Sequence, residues 1–343
     1  MIPIAMTTKI GMMKFMRIDL KELINSAPEN IAIMDSLGVC LRHINDHQNI
    51  LVSVSGGRDS DVMLDLNIRC GGKDKSTYVF FDTGMEYEAT KNQIKHLEEK
   101  YGIKIQTIKP IKPIPLCVRE YGVPFYSKYV SEMIERLQRH GFQWEDEPFE
   151  VLVEKYPKCS AALSWWCNRW GKGRKDGNVS NFDIGYVKGL KEFLIANPPP
   201  FRISNKCCKY AKKGPAKKYL AEHDFDLNCV GVRKSEGGIR SARYKNCYTA
   251  SMEGPDQYRP IFWFSDKDRD VYDEHYGLNH SDCYSVWGMD RTGCVGCPFS
   301  KNFEQEIVLA EKYEPKRHKA MLKIFGESYE YRRKFEAFKR EKL

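Results

Sequence analysis

The stretch ILVSVSGGRDSDVMLDL, residues 50–66, decides the architecture. Val52, Val54 and their neighbours read as a buried strand, and Val62, Leu64 and Leu66 sit in a following helix. Between them lie two glycines and a cluster of small polar residues. Glycines let backbone N–H groups approach an anion closely, and the helix N-terminus adds partial positive charge. The hydroxyls of Ser55 and Ser60 add donors. Neither the G-x-x-x-x-G-K-[ST] phosphate loop nor the dinucleotide G-x-G-x-x-G string is present. The loop Ser55-Gly56-Gly57-Arg58-Asp59-Ser60 is therefore expected to cradle a pyrophosphate or a sulfate without a lysine.

Working outward, residues 17–48 read as helical, 49–54 as a strand and 59–70 as a helix. A second strand covers 76–84, an amphipathic helix 88–102 closes on Gly102, and a third strand covers 103–110 before a proline. This alternation predicts an α/β fold: an open, mostly parallel twisted sheet with helices on both faces. The rhythm breaks at KPIKPIP. Residues 111–202 form an aromatic-rich insertion or lid with a helix at 129–142, an exposed loop at 171–181 and an extended linker at 196–206. The strand pattern returns at 225–233, with a further strand or ordered connection at 257–265, and the tail 303–343 is helical and charged. The expected organisation is a helical segment 1–48, a nucleotide-binding α/β domain from 49–110 and 203–300, the insertion, and a helical tail 301–343.

With 343 residues the chain is long enough for a full core without staples. No apolar run approaches the roughly 20 residues needed to span a bilayer, and the N-terminal residues lack the pattern of a signal peptide; the expected compartment is the cytoplasm, with no membrane partner. Net charge is +9, which suits phosphate-rich partners, although 46 acidic residues are interspersed among 55 basic ones. In a reducing compartment the 12 cysteines are expected to be thiols or metal ligands rather than disulfides.

The motif S-G-G-x-D-S after a first strand resembles the loop of the adenine-nucleotide alpha-hydrolase (PP-loop) superfamily. FFDTGMEYEAT resembles the F-x-D-T-G segment of its phosphoadenosine phosphosulfate (PAPS) reductase branch. The resemblance implies that the loop binds ATP or an adenylyl sulfate. Asp82, Thr83 and Gly84 would then stand at the carboxyl edge of the sheet, where such sheets bind ligands, Asp82 orienting the nucleotide or a magnesium ion.

Cys207 and Cys208 are adjacent, and Cys294 and Cys297 form C-x-x-C. Four thiolates can close a zinc or an iron–sulfur site. The vicinal pair suits zinc poorly and matches the Cys-Cys…Cys-x-x-Cys pattern of the [4Fe–4S] sulfonucleotide reductases, with CCKYAKKGP and GCVGCPFS similar to that family's flanks. The resemblance implies a [4Fe–4S] cluster on these four residues. Cys40, Cys70, Cys117, Cys229 and Cys247 read as buried or incidental thiols; Cys159, Cys167 and Cys283 stand near aromatics and glycine-rich loops, with the same reading the first expectation for them.

GVRKSEGGIRSARY resembles the family's nucleotide-pocket stretch, with Gly237 where serine is usual. Arg233, Arg240 and Arg243 are its candidate phosphate or sulfate clamps, and Asp59, Arg233 and Arg240 the catalytic candidates. Trp165, Trp166 and Trp170 beside Arg169, Lys172, Arg174 and Lys175 offer either a stacking surface for single-stranded nucleic acid or a core with a solvated edge. The family's reductases attack with a cysteine near the C-terminus, whereas the last cysteine here is Cys297. Two enzyme readings follow: a PAPS reductase-like enzyme of sulfur chemistry, or an ATP alpha-hydrolase that adenylates tRNA or DNA for sulfur insertion. Either would need an electron or sulfur donor. A non-catalytic nucleotide sensor is the third reading.

Overall fold

The computed structural model describes residues 18–171, 179–237 and 244–342. Its sheet has six strands: β1 Ile50–Val54, β2 Ser76–Phe81, β3 Ile105–Ile108, β4 Leu227–Val230, β5 Tyr248–Thr249 and β6 Asp256–Tyr258. They stand in the order β3-β2-β1-β4-β6-β5. β2 and β3 pair in parallel with Tyr78 opposite Ile105, and β4 and β6 in parallel with Leu227 opposite Asp256. The short edge strand β5 runs antiparallel to β6, with Tyr248 opposite Tyr258. The first three strands are joined through the helices Arg58–Arg69 and Glu88–Tyr101, as the 50–110 pattern requires.

The chain packs as two units. One comprises residues up to 52, 59–77 and 225–279. Its helix Ile31–Asp46 is started by Asn30, whose side chain accepts from Ile33 N–H. Pro28 and this cap divide the expected 17–48 helix into Leu20–Asn25 and Ile31–Asp46. Ile33, Leu37, Leu41 and Ile44 are buried, as are Val62 and Leu66 of the Arg58–Arg69 helix. Polar ties cross this core: Ser36 Oγ donates to Pro260 O at 2.7 Å and Tyr272 Oη to Asp65 at 2.7 Å. Of the strand or ordered connection expected over 257–265, the strand part ends at Tyr258. Pro260 has no N–H to offer a ladder, and the chain turns, with Phe262 N–H donating to Arg259 O and Phe264 N–H to Ile261 O.

The second unit comprises 53–58, 78–224 and 280–343. Helices Lys128–Arg139, Phe149–Lys155, Ser160–Trp166 and Leu190–Ala196 bury Ile134, Leu137, Leu152, Trp166 and Phe193 in one core, which Tyr331 and Phe335 of the Pro315–Lys342 helix complete. Tyr87, Cys207, Val295, Met321, Phe325 and Tyr329 belong to a second core around the cysteine motifs. Pro315 divides the tail into Phe303–Tyr313 and Pro315–Lys342, occupying the first helical turn, where its missing N–H costs nothing. Among the described residues no helix is long and apolar enough to cross a membrane.

Candidate functional site

The motif enters its helix as the sequence requires. Gly56 has φ +67°, and a Cβ there would lie 2.8 Å from Thr90 Cγ2 and 3.1 Å from Thr90 O. The residue must be glycine on both counts, because L side chains disfavour this region. At Gly57 a Cβ would stand 3.1 Å from Tyr284 Oη and 3.4 Å from Ser55 Oγ, so a branched side chain would fill the space above the loop. Tyr284 Oη and Thr292 Oγ1 hydrogen-bond at 2.9 Å, forming a hydroxyl pair next to Gly57 that no sequence motif marks. Gly84 also has positive φ (+79°), and its N–H donates to Asp82 Oδ1 at 2.8 Å, which closes the Asp82-Thr83-Gly84 turn after β2. Lys91 Nζ stands 3.7 Å from the Asp82 carboxylate.

Arg58 opens the Arg58–Arg69 helix, and Ser60 is buried in its first turn. Asp59 Oδ1 accepts from Arg233 Nε at 2.8 Å and from Arg269 Nη1 at 3.0 Å. Arg233 is 5% exposed and fully engaged, its Nη1 donating to Ser235 Oγ at 2.9 Å and its Nη2 to Asp266 at 3.0 Å. A guanidinium with every nitrogen committed is a brace, holding the chain after β4 against the helix start. Gly231 makes the approach close enough, since a Cβ there would lie 2.8 Å from Asp59 O. Arg269, on the helix Asp266–Tyr276, had no motif around it to single it out. Arg240 and Arg243 lie outside the described residues, as do Lys172, Arg174 and Lys175.

The thiols gather at the other motif. Cys207 and Cys208 open a helical run, Lys206–Cys208 followed by a π-turn Lys209–Lys213. The Cys294–Cys297 knuckle is closed by Cys297 N–H donating to Cys294 O at 3.1 Å. Its Gly296 has φ +58°, and a Cβ there would fall 2.3 Å from Met321 Sδ, so nothing larger fits. The four thiols perturb one another. The hydrogen bond with Cys208 and then burial push the Cys207 thiol well up. The same hydrogen bond, aided by Lys128, Lys213 and Lys212 and opposed by burial, pulls Cys208 down to about 6. Burial pushes Cys294 well up and Cys297 up to about 12. Among the described residues no three His, Cys, Asp or Glu side chains already stand in metal-binding geometry. The set converges without being closed, and its all-sulfur donors suit a soft metal or an iron–sulfur centre.

Thr83 and Glu86 tie the two motifs together. Thr83 Oγ1 donates to the buried Glu86 carboxylate at 2.9 Å and lies 3.4 Å from Cys294 Sγ. Glu86 and Cys294 form an isolated antiparallel bridge, and Val295 N–H donates to Met85 O at 2.7 Å. Arg317 Nη1, at the start of the last helix, donates to Gly84 O at 3.3 Å. Glu86 lies two residues beyond the F-x-D-T-G segment, and Arg317 stands within no recognisable string.

The tryptophan stretch resolves toward core. Trp165 and Trp166 are 1% and 0% exposed, because the Ser160–Trp166 helix turns both inward and Trp166 Nε1 donates to Glu145 O. Only Trp170 of the three is exposed. Arg169 lies over the Phe149 ring at 3.9 Å. A stacking surface on Trp165 and Trp166 is therefore excluded.

Residues 49–142 match the family of the phosphoadenosine phosphosulfate reductase domain. An uncharacterised protein of Methanocaldococcus jannaschii is 41% identical over 118 residues, which is 33% of this chain and 24% of that protein. The chain thus matches about a quarter of the length of this curated relative. Among solved structures, a phosphoadenylyl-sulfate reductase from Candida auris in a phosphate complex is similar at 13% identity and a TM-score of 0.40, covering 80% of this chain and 93% of that one. A U34-tRNA thiolase from Methanococcus maripaludis with its [4Fe–4S] cluster is similar at 13% identity and a TM-score of 0.35, covering 88% and 80%. An FMN adenylyltransferase from Candida glabrata with FAD and pyrophosphate scores 0.37 at 12% identity, covering 84% and 79%.

Proposed function

As a chain that carries a phosphoadenosine phosphosulfate reductase family domain over residues 49–142, this protein is, we propose, an enzyme that binds an adenine nucleotide and couples it to sulfur chemistry at a cysteine-held centre. The observation that carries the reading is the contact of Thr83 Oγ1 with Cys294 Sγ, reinforced by the Glu86–Cys294 bridge. The turn that follows β2 and the thiol set are one piece of structure within one unit.

In this reading the backbone N–H groups and hydroxyls of Ser55, Gly56, Gly57 and Ser60 hold the phosphates or sulfate, as donors preorganised by the positive φ at Gly56. Asp82 orients the nucleotide or a magnesium ion from its fixed turn. Asp59 and Arg233 act as positioning residues, through the brace with Arg269, and the clamp role of Arg240 and Arg243 rests on the sequence alone. Cys207, Cys208, Cys294 and Cys297 would hold a [4Fe–4S] cluster, which when bound supplies electrons or a labile sulfur site. Thr83 keeps its hydroxyl against Cys294, and Lys128, Lys212 and Lys213 favour the thiolate at Cys208, the form in which a cysteine binds metal.

Two substrates suit the loop. With ATP, an acceptor oxygen attacks the α-phosphorus and pyrophosphate leaves. With an adenylyl sulfate, reduction would release sulfite and require an external two-electron donor. Anaerobically purified protein given ATP and magnesium in one reaction, and phosphoadenosine phosphosulfate with a thiol reductant in another, tests both by mass spectrometry. AMP with pyrophosphate supports the first substrate, sulfite with adenosine bisphosphate the second. Neither product, with Ser60→Ala and wild type alike, removes the enzymatic reading.

A further inference from the structure

Two segments of the second unit contain no acidic residue. Residues 103–119 carry Lys104, Lys109, Lys112 and Arg119, and residues 203–221 carry six lysines, at 206, 209, 212, 213, 217 and 218. The fold lays these segments side by side. Ile111 N–H donates to Tyr210 O at 3.0 Å, Tyr219 Oη donates to Gln106 at 2.9 Å, and the Ile111 side chain packs on Gly214. The rings of Tyr121 and Tyr210 stack at 5.3 Å with 15° between their planes, and the ammonium groups of Lys112 and Lys206 stand 4.9 and 4.7 Å from the Tyr121 ring centre.

Part of this charge is neutralised at home. Lys112 pairs with Glu120, Lys206 with Glu135 and Lys218 with Glu222. Lys104, Lys109, Arg119, Lys209, Lys213 and Lys217 are exposed and make no ion pair among the described residues. We propose that this lysine-rich face, with its surplus of unpaired cations, is a docking surface for the phosphate backbone of a nucleic acid. The run Lys206–Glu222 is about 25 Å long at a helical rise of about 1.5 Å per residue, which matches about seven phosphates of one strand at about 3.4 Å each. Six exposed cations beyond those paired with Glu120, Glu135 and Glu222 suit a polyanion. A protein partner would bring its own basic groups and leave them unpaired against such a face. The surface runs into Cys207 and Cys208, so a bound nucleic acid lies alongside the thiol set. The inference deepens the ATP reading by naming its acceptor class, and it rests on charge and placement that do not depend on nucleotide turnover.

The test measures binding of a fluorescein-labelled 24-nucleotide RNA, single-stranded and as a hairpin, by anisotropy across a salt series and without nucleotide. Polyglutamate serves as the acidic-polypeptide probe. The wild type should bind RNA with log Kd rising linearly with log salt. The variant Lys104→Ala/Lys109→Ala/Lys217→Ala should weaken binding at least about tenfold and make the slope shallower by roughly 2, at about 0.7 to 0.9 per lost phosphate contact. Lys316→Ala/Lys323→Ala/Lys334→Ala, on the exposed side of the last helix, should leave both unchanged. Absence of RNA binding, equal loss in both triple variants, or polyglutamate binding as tightly as RNA would overturn the proposal. AMP release from ATP by the first triple variant, measured without RNA, should equal that of the wild type. RNA binding without any AMP release from the wild type would sink the proposed reaction and leave the docking surface standing.

Discussion

Substituting Gly56 by alanine isolates the geometry on which the nucleotide loop depends. At φ +67° an alanine is held in the left-handed region, at a cost of about 1–2 kcal/mol. Its Cβ would also stand 2.8 Å from Thr90 Cγ2, a side chain that is 1% exposed and has nowhere to retreat. Overpacking of that kind costs about 1–3 kcal/mol, so Gly56→Ala should destabilise the protein by about 2–5 kcal/mol. Urea denaturation followed by tryptophan fluorescence is the assay, because five of the six tryptophans lie in the unit that contains Gly56. The two contributions separate in a double-mutant cycle. Thr90→Ser removes Cγ2, so in that background the Gly56→Ala cost should fall by about 1–2 kcal/mol, leaving the backbone contribution. ATP binding, followed by titration calorimetry, should be lost in Gly56→Ala and only partly recovered in the double variant, because the loop N–H groups would still be misdirected. A Gly56→Ala protein within about 0.5 kcal/mol of wild type, or an equal cost in both backgrounds, would refute the reasoning.

Three further outcomes follow from the same structure. Cys294→Ser should abolish anaerobic iron and sulfide incorporation with its visible absorbance, while Cys229→Ser, on β4 and in the other unit, should leave metal content unchanged; equal metal content in the two variants would remove the cluster assignment. Burial, then Arg42 and His47, lower the His43 pKa to about 4, and its ring stacks on Tyr248 at 4.3 Å. The unfolded chain binds that proton more tightly, so His43 favours the fold fully above about pH 6.5, and that stability should be lost as pH falls toward 4, by up to about 3 kcal/mol; His43→Phe should flatten this part of the stability–pH curve. Trp166→Ala should cost about 3–5 kcal/mol and Trp170→Ala under about 1, since only the first leaves a core void, and comparable melting temperatures for the two variants would contradict the packing.

The alternation of the first half and the two motifs are legible in the order of residues alone. Strand, glycine turn and helix over 50–69 are local: apolar run, φ-permissive residues and helix start lie within one window, and each constrains its neighbours directly. The same holds for the Cys294–Cys297 knuckle, whose spacing is its geometry. What those motifs touch depends on long-range packing. Arg269 reaches Asp59 across 210 positions, and Glu86 and Thr83 meet Cys294 across more than 200, with no periodicity to announce either contact. Trp165 and Trp170 read alike in sequence, since an aromatic beside basic residues suits a core edge or a stacking surface equally, and helix phase buried one and exposed the other. The lysines of 103–119 and 203–221 became one face for the same reason: charge is a property of residues, while a charged surface is a property of which segments the core brings together.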